Sequence, residues 1–423
     1  MAAVPVSVFG AGLSLFTGAR AAVVEAAAIG DSIVGNAQTG TPNFAHGMRG
    51  AWHWANFRMG APLRFRLGTQ QGVSGETASQ ILSRIGNITS LVPRPRFCFV
   101  SAGNNDINSA VAPATAAADI ESIVNALNAA GIVAVIGPVF PRDSWSAGQL
   151  ADMATLNASI AAMAAPGRMI FPDYRGDIID GGTGYTLPNV LFDGIHPGNR
   201  GAWIMSDAFV DALDPVVNTR ARLAQGTDPG NKMTNGLLAG STAPGGAWTG
   251  SIATPGFSNY SLGSPTGGTR TASKVARADA VGEWQQFALA GTTFAGAWGG
   301  GFVQTITPSA VGMTEGQVYE LVSEWEVDGS TTNAHGPGIQ IIYNDGATST
   351  QHNIAYFTGA ADNSIVPYSG TTTLTLLAPP FTMRADNGAD SIIIRFSLGG
   401  QGDMAGGITA TARVGRIALR QIG

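Results

Sequence analysis

Apolar residues fall into two different rhythms along the chain. From Ala22 to about Asp214, the short runs AAVVEAAAIGD, LRFRLG, RFCFVSAG, GIVAVIGPV and RMIFPDY are rich in Val, Ile or Phe and end near Gly, Pro or Asp, which predicts strands. Between them, ETASQILSRIGNI, ATAAADIESIVNALNAAG and ADMATLNASIAAMAAPG place Ile, Leu, Val and Met at helical spacing. Strand and helix in repeated alternation predict a parallel sheet covered on both faces, with reactive groups in the loops after the strands' carboxyl ends. Beyond Asp214 the texture changes. TDPGNKMTNGLLAGSTAPGGAWTG holds turn-forming residues without periodicity and reads as a linker. From about Gly246 onward QVYELVSEWEV, PGIQIIYND, TTTLTLLA, FTMRA, SIIIRFSLG and ITATARVGRIALRQI alternate in the manner of strands, and helical periodicity is absent. The expected division is 1–21 as a docking tail, 22–222 as an α/β domain, 223–245 as a linker and 246–423 as a β-sandwich.

Length and composition narrow the functional classes. At 423 residues the chain is too long for one ordinary core. Its 58 glycines and 12% charged residues fit many tight turns and short strands. The net charge of -5 and only two lysines, Lys232 and Lys274, leave no basic stripe for tracking phosphates, so nucleic acid is not expected as a partner. Cys98 stands alone, within RFCFV, and reads as a small core hydrophobe. The segment from Val4 to Phe16 is apolar but lacks the basic start of a secretory signal, so it is read as a retained tail that docks on another chain or on the second domain. No membrane span is expected, because no run of eighteen apolar residues occurs.

Four segments fall where the sheet pattern puts the active face. In AAAIGDSIVG the first strand runs into Gly30, Asp31 and Ser32, placing the Ser32 hydroxyl on a tight turn. Serine after a turn is also a common helix cap, so this triplet alone decides little. In QQGVSGETASQIL, Gly72 and Gly75 precede a helix and permit backbone N–H groups to approach a ligand, while Ser74 and Thr77 could equally be caps. The loop SAGNNDIN offers the Asn105 side-chain amide to a developing oxyanion. In VLFDGIHPGNRGAW, Asp193 lies three residues before His196, and Pro197 and Gly198 stop that loop from continuing as helix. The remaining histidines, His46, His53, His335 and His352, read as bystanders.

Taken in order, GDS, GxSGxT, GxND and DxxHP resemble the motifs of the SGNH hydrolases, the GDSL-like lipases and esterases, over roughly Ala22 to Leu213. The resemblance implies an α/β flavodoxin-like fold in three layers, with Ser32 as nucleophile, His196 as base and Asp193 as its orienter. It further implies an oxyanion hole from the N–H groups of Ser32 and Gly75 and the side chain of Asn105. Two departures stand out: Asn104 occupies the position where a second glycine is common, and residues 36–62 form a long insert containing Trp52 and Trp54, for which helix packing is favoured over walling an acyl pocket. No cofactor or metal is expected, since no clustered Cys, His and carboxylate set is visible. The end of the chain is similar, diffusely, to jelly-roll carbohydrate-binding modules. In such modules exposed aromatics stack on sugars, which makes Trp248, Trp284, Trp298 and Tyr260 candidates against the alternative of core packing. The combined expectation is a serine esterase removing O-acetyl groups from a polysaccharide, facing the extracellular side. It would act as a homo-oligomer or as part of a virion such as a phage tail. The alternatives are a glycan-binding attachment protein and a secreted lipase or lysophospholipase.

Overall fold

The structure, a computed structural model, describes residues 24–39, 44–46, 49–217, 230–245, 248–253, 256–262, 268–291, 297–344, 349–354, 366–384, 390–401 and 407–422. The expected tail at 1–21 lies outside them. The first half alternates strands and helices: β1 (Val24–Gly30), α1 (Ser32–Ala37), β2 (Gln38–Thr39), β3 (Phe44–His46), α2 (Ala51–Arg58), β4 (Leu63–Gly72), α3 (Ala78–Ser83), α4 (Gly86–Thr89), β5 (Phe97–Ser101) and α5 (Asn104–Asn108). Then come α6 (Pro113–Ala129), β6 (Val133–Ile136), α7 (Ala147–Ala162), β7 (Met169–Ile170), α8 (Arg175–Ile178) and α9 (Asn199–Val217). The five predicted runs are β1, β4, β5, β6 and β7, and they form one parallel sheet in the order β4-β1-β5-β6-β7. The apolar residues of β1 alternate between the two faces, Ala27 and Ile29 on one and Ala26 and Ala28 on the other, so the run of Ala26 to Ile29 is buried without a break. On one face Ile120, Ile123, Val124 and Leu127 of α6 and Leu156 and Ile160 of α7 pack beneath Cys98 and Ile136. On the other face Trp52, Phe65, Phe99 and Phe209 join α2 and α9 to the sheet. Cys98 is fully buried in β5, as its apolar neighbours predict.

The second half is a sandwich. Its strands are β8 (Trp248–Gly250), β9 (Ser258–Leu262), β10 (Thr269–Ala276), β11 (Glu283–Gly291), β12 (Ala297–Ile306), β13 (Val318–Val327), β14 (Ala334–Asn344), β15 (Ser349–Ile354), β16 (Thr372–Leu377), β17 (Phe381–Thr382), β18 (Ser391–Gln401) and β19 (Ile408–Gln421). One sheet runs β16-β13-β19-β11-β10-β8 with β17 on β13, and the other runs β2-β3-β15-β14-β18-β12-β9. Inward residues of both sheets interlock: Phe302 lies 5.2 Å from Phe287 across the sandwich and 4.9 Å from Phe396 on the neighbouring strand. Burying one such side chain contributes about 1.5–3 kcal/mol.

Two boundaries differ from the sequence expectation. Residues 230–245 are no free linker: the Lys232 amide donates to Leu419 O at 2.7 Å, Asn231 accepts the Leu419 amide at 2.9 Å, and Met233 and Leu238 enter the sandwich core. Apolar side chains at two positions and an asparagine able to pair with the β19 backbone override the turn-rich composition. The insert at 36–62 also crosses between domains, since β3 pairs in parallel with β15 and β2 extends the same sheet. Its helix α2 has two roles. Trp54 and Phe57 join the sandwich core beside Trp203 of α9, whereas Trp52 stacks near Phe99 in the first domain. The halves are further joined by Glu320 on β13, fully buried, whose Oε2 accepts from Arg64 Nη2 at 2.6 Å and Nε at 2.8 Å. Arg64 also reaches Glu25 at 3.2 Å.

Candidate active site

The site lies at the carboxyl rim of the parallel sheet. Strand β1 ends at Gly30 and the chain turns at Asp31 directly into α1, so Ser32 heads a helix with its hydroxyl at the rim. Two stretches fold the turn in place. The Gly35 amide returns to Asp31 O at 3.1 Å, and Asp31 Oδ1 accepts the Ile33 amide and the Ser101 hydroxyl, each at 2.9 Å. Asp31 is buried, and that burial pushes its carboxyl up to about 6, against the pull of those two donors and of the nearby Arg142 and His196.

The loop 190–198 brings the other partners to the same rim. Asp193 Oδ1 accepts the amides of Ile195 at 3.0 Å and His196 at 2.8 Å, which curls the loop so that the two side chains meet. Asp193 Oδ2 then takes a hydrogen bond from His196 Nδ1 at 2.8 Å, and His196 Nε2 lies 2.7 Å from Ser32 Oγ. Burial opposes the ionised form of Asp193. The His196 ring and the His196 and Ile195 amides outweigh it and hold the carboxyl below its ordinary range. The imidazole is further held by Phe192, whose ring stacks on it at 5.7 Å, while the Arg49 guanidinium of the insert lies over the Phe192 ring, 3.6 Å from its centre. The Gly198 amide closes the loop on Val190 O at 2.9 Å, immediately before α9 begins.

The residues expected to supply oxyanion donors follow the ends of β1, β4 and β5, which are neighbours in the sheet. Gly75 lies in the turn after β4 with φ +85°, a conformation that favours glycine, and a Cβ there would meet nothing. Thr77 follows as the N-cap of α3, with Gln80 completing a capping box, so the cap reading of that residue holds. Gly103, at φ +105°, turns the chain from β5 into α5, and a Cβ there would come within 2.7 Å of Val139. That turn presents Asn105. Its Nδ2 donates to Glu76 O at 2.9 Å and its Oδ1 accepts from Arg142 Nη2 at 2.6 Å. Glu76 is itself anchored by Arg84, which reaches the Glu76 carboxylate at 2.6 Å and the Gly30 carbonyl at 2.8 Å. The Ser32 and Gly75 amides donate to no acceptor among the described residues. Asn104, the departure from the common motif, is buried and donates to Phe140 O at 3.0 Å, so its side chain props the neighbouring loop.

Three residues escaped the sequence reading. Asp106 accepts the Ala78 amide at 3.0 and 3.2 Å and so fastens the start of α3 to the Asn105 turn, and burial raises its pKa against that hydrogen bond. Arg142 and Ser101 meet the site only through the fold. An acidic residue after GNN and an arginine in FPRD were the available signals, too common singly to decide anything. Conversely, His53 and His335 are buried away from the relay. His53 pairs with Gln70 at 3.0 Å, and burial drives its pKa down to about 3.

The sugar-stacking candidates among the described residues present no open ring in Trp248 and guanidinium-covered rings in Trp284 and Tyr260. Trp248 is 5% exposed, donates to Ser261 Oγ at 3.0 Å and packs edge-on against Phe287, so it has no open face; its candidacy is corrected to core packing. Trp284 and Tyr260 are half-buried, with the guanidinium of Arg277 at 4.1 Å and of Arg395 at 4.5 Å over their rings. The side chain of Trp298 lies outside the described residues.

A Ser–His–Asp relay at the edge of a parallel α/β sheet is the arrangement of a hydrolase. Residues 28–204 match the model of the GDSL-like lipase/acylhydrolase family, and that stretch is a GDSL-like lipase/acylhydrolase domain. Solved structures similar to it include a member of the lipolytic protein G-D-S-L family from Veillonella parvula, at 17% identity over 46% of this chain and 100% of the other, with a TM-score of 0.36. A GDSL-like lipase from Bacteroides thetaiotaomicron matches at 18% identity over 46% of this chain and 87% of the other, TM-score 0.33. A psychrotrophic esterase from Pseudoalteromonas sp. matches at 14% identity over 46% and 99%, TM-score 0.34. No curated protein matches the chain. No helix among the described residues is long and apolar enough to cross a membrane.

Proposed function

We propose that this chain is a serine esterase that hydrolyses short acyl esters, with O-acetyl groups of a polysaccharide as its substrate class. The observation that carries the reading is the continuous relay from Ser32 Oγ through His196 to Asp193, with links of 2.7 and 2.8 Å. In it His196 Nε2 takes the Ser32 proton as Oγ attacks the ester carbonyl. Asp193 keeps the remaining proton on Nδ1 and balances the imidazolium charge. Collapse of the tetrahedral species breaks the bond to the alcohol oxygen, which receives the proton from Nε2 and leaves an acyl group on Ser32. Water, deprotonated by the same imidazole, then releases the acid. The Ser32 and Gly75 amides and the Asn105 side chain act on the oxyanion, whose charge is present only in the tetrahedral state, so they lower the barrier rather than tighten binding.

A short acyl group is supported by the cavity next to Ile33 and Pro197, the chain neighbours of Ser32 and His196, whose lining includes the rings of Trp52, Phe140 and Tyr174. The polysaccharide part draws on the sandwich joined to the esterase domain, and a place in a virion or homo-oligomer draws on sequence features alone. Acetate release from p-nitrophenyl acetate and from acetylated polysaccharide, compared between wild type and Ser32→Ala, tests the proposal. Equal rates in the two proteins would dispose of the esterase, and activity confined to long-chain esters would dispose of the acetyl preference.

A further inference from the structure

The groups around the site include one strong donor that the esterase mechanism leaves without a task. Arg142 lies in the loop between β6 and α7, is 9% exposed, and places Nη2 2.6 Å from Asn105 Oδ1. Burial pulls its pKa down while the charges of Asp31 and Asp193 oppose that pull, and no carboxylate pairs with it within salt-bridge distance among the described residues. Its Nε is buried with no hydrogen-bond partner. A guanidinium kept in such a place, directed at a neutral amide oxygen, calls for a reason beyond ion pairing.

We propose that Arg142 is a positioning residue that sets the orientation and donor strength of the Asn105 amide, and through it the stabilisation of the oxyanion. The inference rests on the assignment of Asn105 to the oxyanion hole. Asparagine has two nearly isosteric orientations of its amide, and only one presents N–H to an anion; the other presents a carbonyl oxygen, which repels it. Arg142 can only donate, so it fixes Oδ1 on its own side. Glu76 O can only accept, so it holds one Nδ2 hydrogen at 2.9 Å from the opposite side. Between a fixed donor and a fixed acceptor the amide has one orientation, with its second Nδ2 hydrogen uncommitted. A cationic donor on the carbonyl also draws electron density from the amide nitrogen and strengthens its N–H groups as donors. Both effects act on the tetrahedral state, so they belong to kcat and leave KM nearly alone.

The test is a double-mutant cycle on p-nitrophenyl acetate with kcat and KM read separately. Asn105→Ala should lower kcat by about 10²-fold or more. Arg142→Met, which keeps the bulk and removes the donors, should lower kcat by roughly 10- to 100-fold with little change in KM. Arg142→Lys, which can still donate to Oδ1, should recover most of that loss. In the Asn105→Ala background Arg142→Met should cost less than about threefold, since its target is gone. If the two losses multiply, Arg142 acts independently of Asn105 and the inference is overturned while the oxyanion assignment stands. Wild-type kcat in Arg142→Met overturns it likewise. Wild-type kcat in Asn105→Ala overturns the assignment of Asn105 and the inference with it. Should Arg142→Met fail to fold, Arg142→Gln passes through the same cycle, with a neutral donor expected to fall between the methionine and lysine variants.

Discussion

The α/β domain and the β-sandwich are built from similar stocks of polar and aromatic side chains but commit them differently. In the sandwich the charges pair with one another: Arg277 reaches Asp279 at 3.1 Å and Glu324 at 2.9 Å, Arg416 reaches the same two carboxylates, and Arg413 pairs with Glu326. Among the described residues its large aromatics, such as Trp248, Phe287, Phe302 and Trp325, enter the core, and Trp284 and Tyr260 lie beneath guanidinium groups. At the sheet rim of the first domain, by contrast, Ser32, His196 and Asp193 form a relay that stays partly open, with the His196 side chain 16% and that of Asp193 38% exposed. The Ser32 and Gly75 amides there keep donors in hand. The difference teaches where chemistry can occur: satisfied groups stabilise, and groups held in place but incompletely satisfied are available to a substrate.

The comparison can be broken most decisively at Ser32. Ser32→Ala should reduce turnover of p-nitrophenyl acetate by about 10⁴-fold or more while the melting temperature stays near that of the wild type. A variant that loses both activity and fold would mean the serine is structural, like the sandwich polar groups. Asp193→Asn comes next. It preserves shape but admits the wrong imidazole tautomer, so a loss of about 10³- to 10⁴-fold in kcat is expected, and retention of more than a tenth of the rate would remove Asp193 from the relay.

The sandwich side is probed by stability. Trp248→Ala removes a ring that is 5% exposed and should cost about 3–5 kcal/mol in denaturant unfolding, without a specific loss of affinity for acetylated polysaccharide in whatever folded protein remains. A specific loss of affinity in a fully stable variant would return Trp248 to the surface role that its burial denies. Glu320→Ala leaves Arg64 buried without its main partner and should cost about 3–5 kcal/mol, with both halves unfolding in one transition. Two separate transitions in the wild type would show that the halves are independent.

The smallest effect sharpens the comparison by pH. The Asp31 carboxyl keeps its proton up to about pH 6 in the folded protein and loses it near 3.8 when unfolded. The folded state therefore holds the extra proton between those values, and the stability linked to it is complete below about 3.8 and lost as pH rises through about 6. Asparagine keeps the oxygen that accepts from Ile33 and Ser101 and carries no charge. Asp31→Asn should accordingly gain on the wild type between pH 4.5 and 7.5, by on the order of 2 kcal/mol, in urea midpoints measured at both values. An advantage that does not grow with pH would show that burial does not disfavour this carboxylate.

Much of the site was legible because its residues sit in short local motifs whose chemistry depends on near neighbours. Asp193 and His196 meet through a three-residue turn, and Ser32 follows a strand end that any parallel sheet would bring to its rim. Apolar patterning marked all five sheet strands: β1, β5, β6 and β7 as short continuous runs, and β4 as the alternating LRFRLG at the sheet edge. The sandwich aromatics were less legible, because alternation says that a residue lies on one of two faces without saying which face is inward or what covers it. Trp248 could be assigned to the core only once Phe287 and Ser261 were seen beside it.

By itself, then, the sequence determined which segments become strands of the parallel sheet and which serine, histidine and aspartate belong to one loop-borne set. It could not determine that Gln38–Thr39 and Phe44–His46 would extend the sandwich, that Met233 and Leu238 would fill its core, or that Arg142 would meet Asn105 across 37 residues. Those pairings depend on the closing of separate layers against one another. Local propensity acts over one turn or one strand, whereas the choice of a distant partner is made by burial and hydrogen-bond satisfaction when the whole chain is packed.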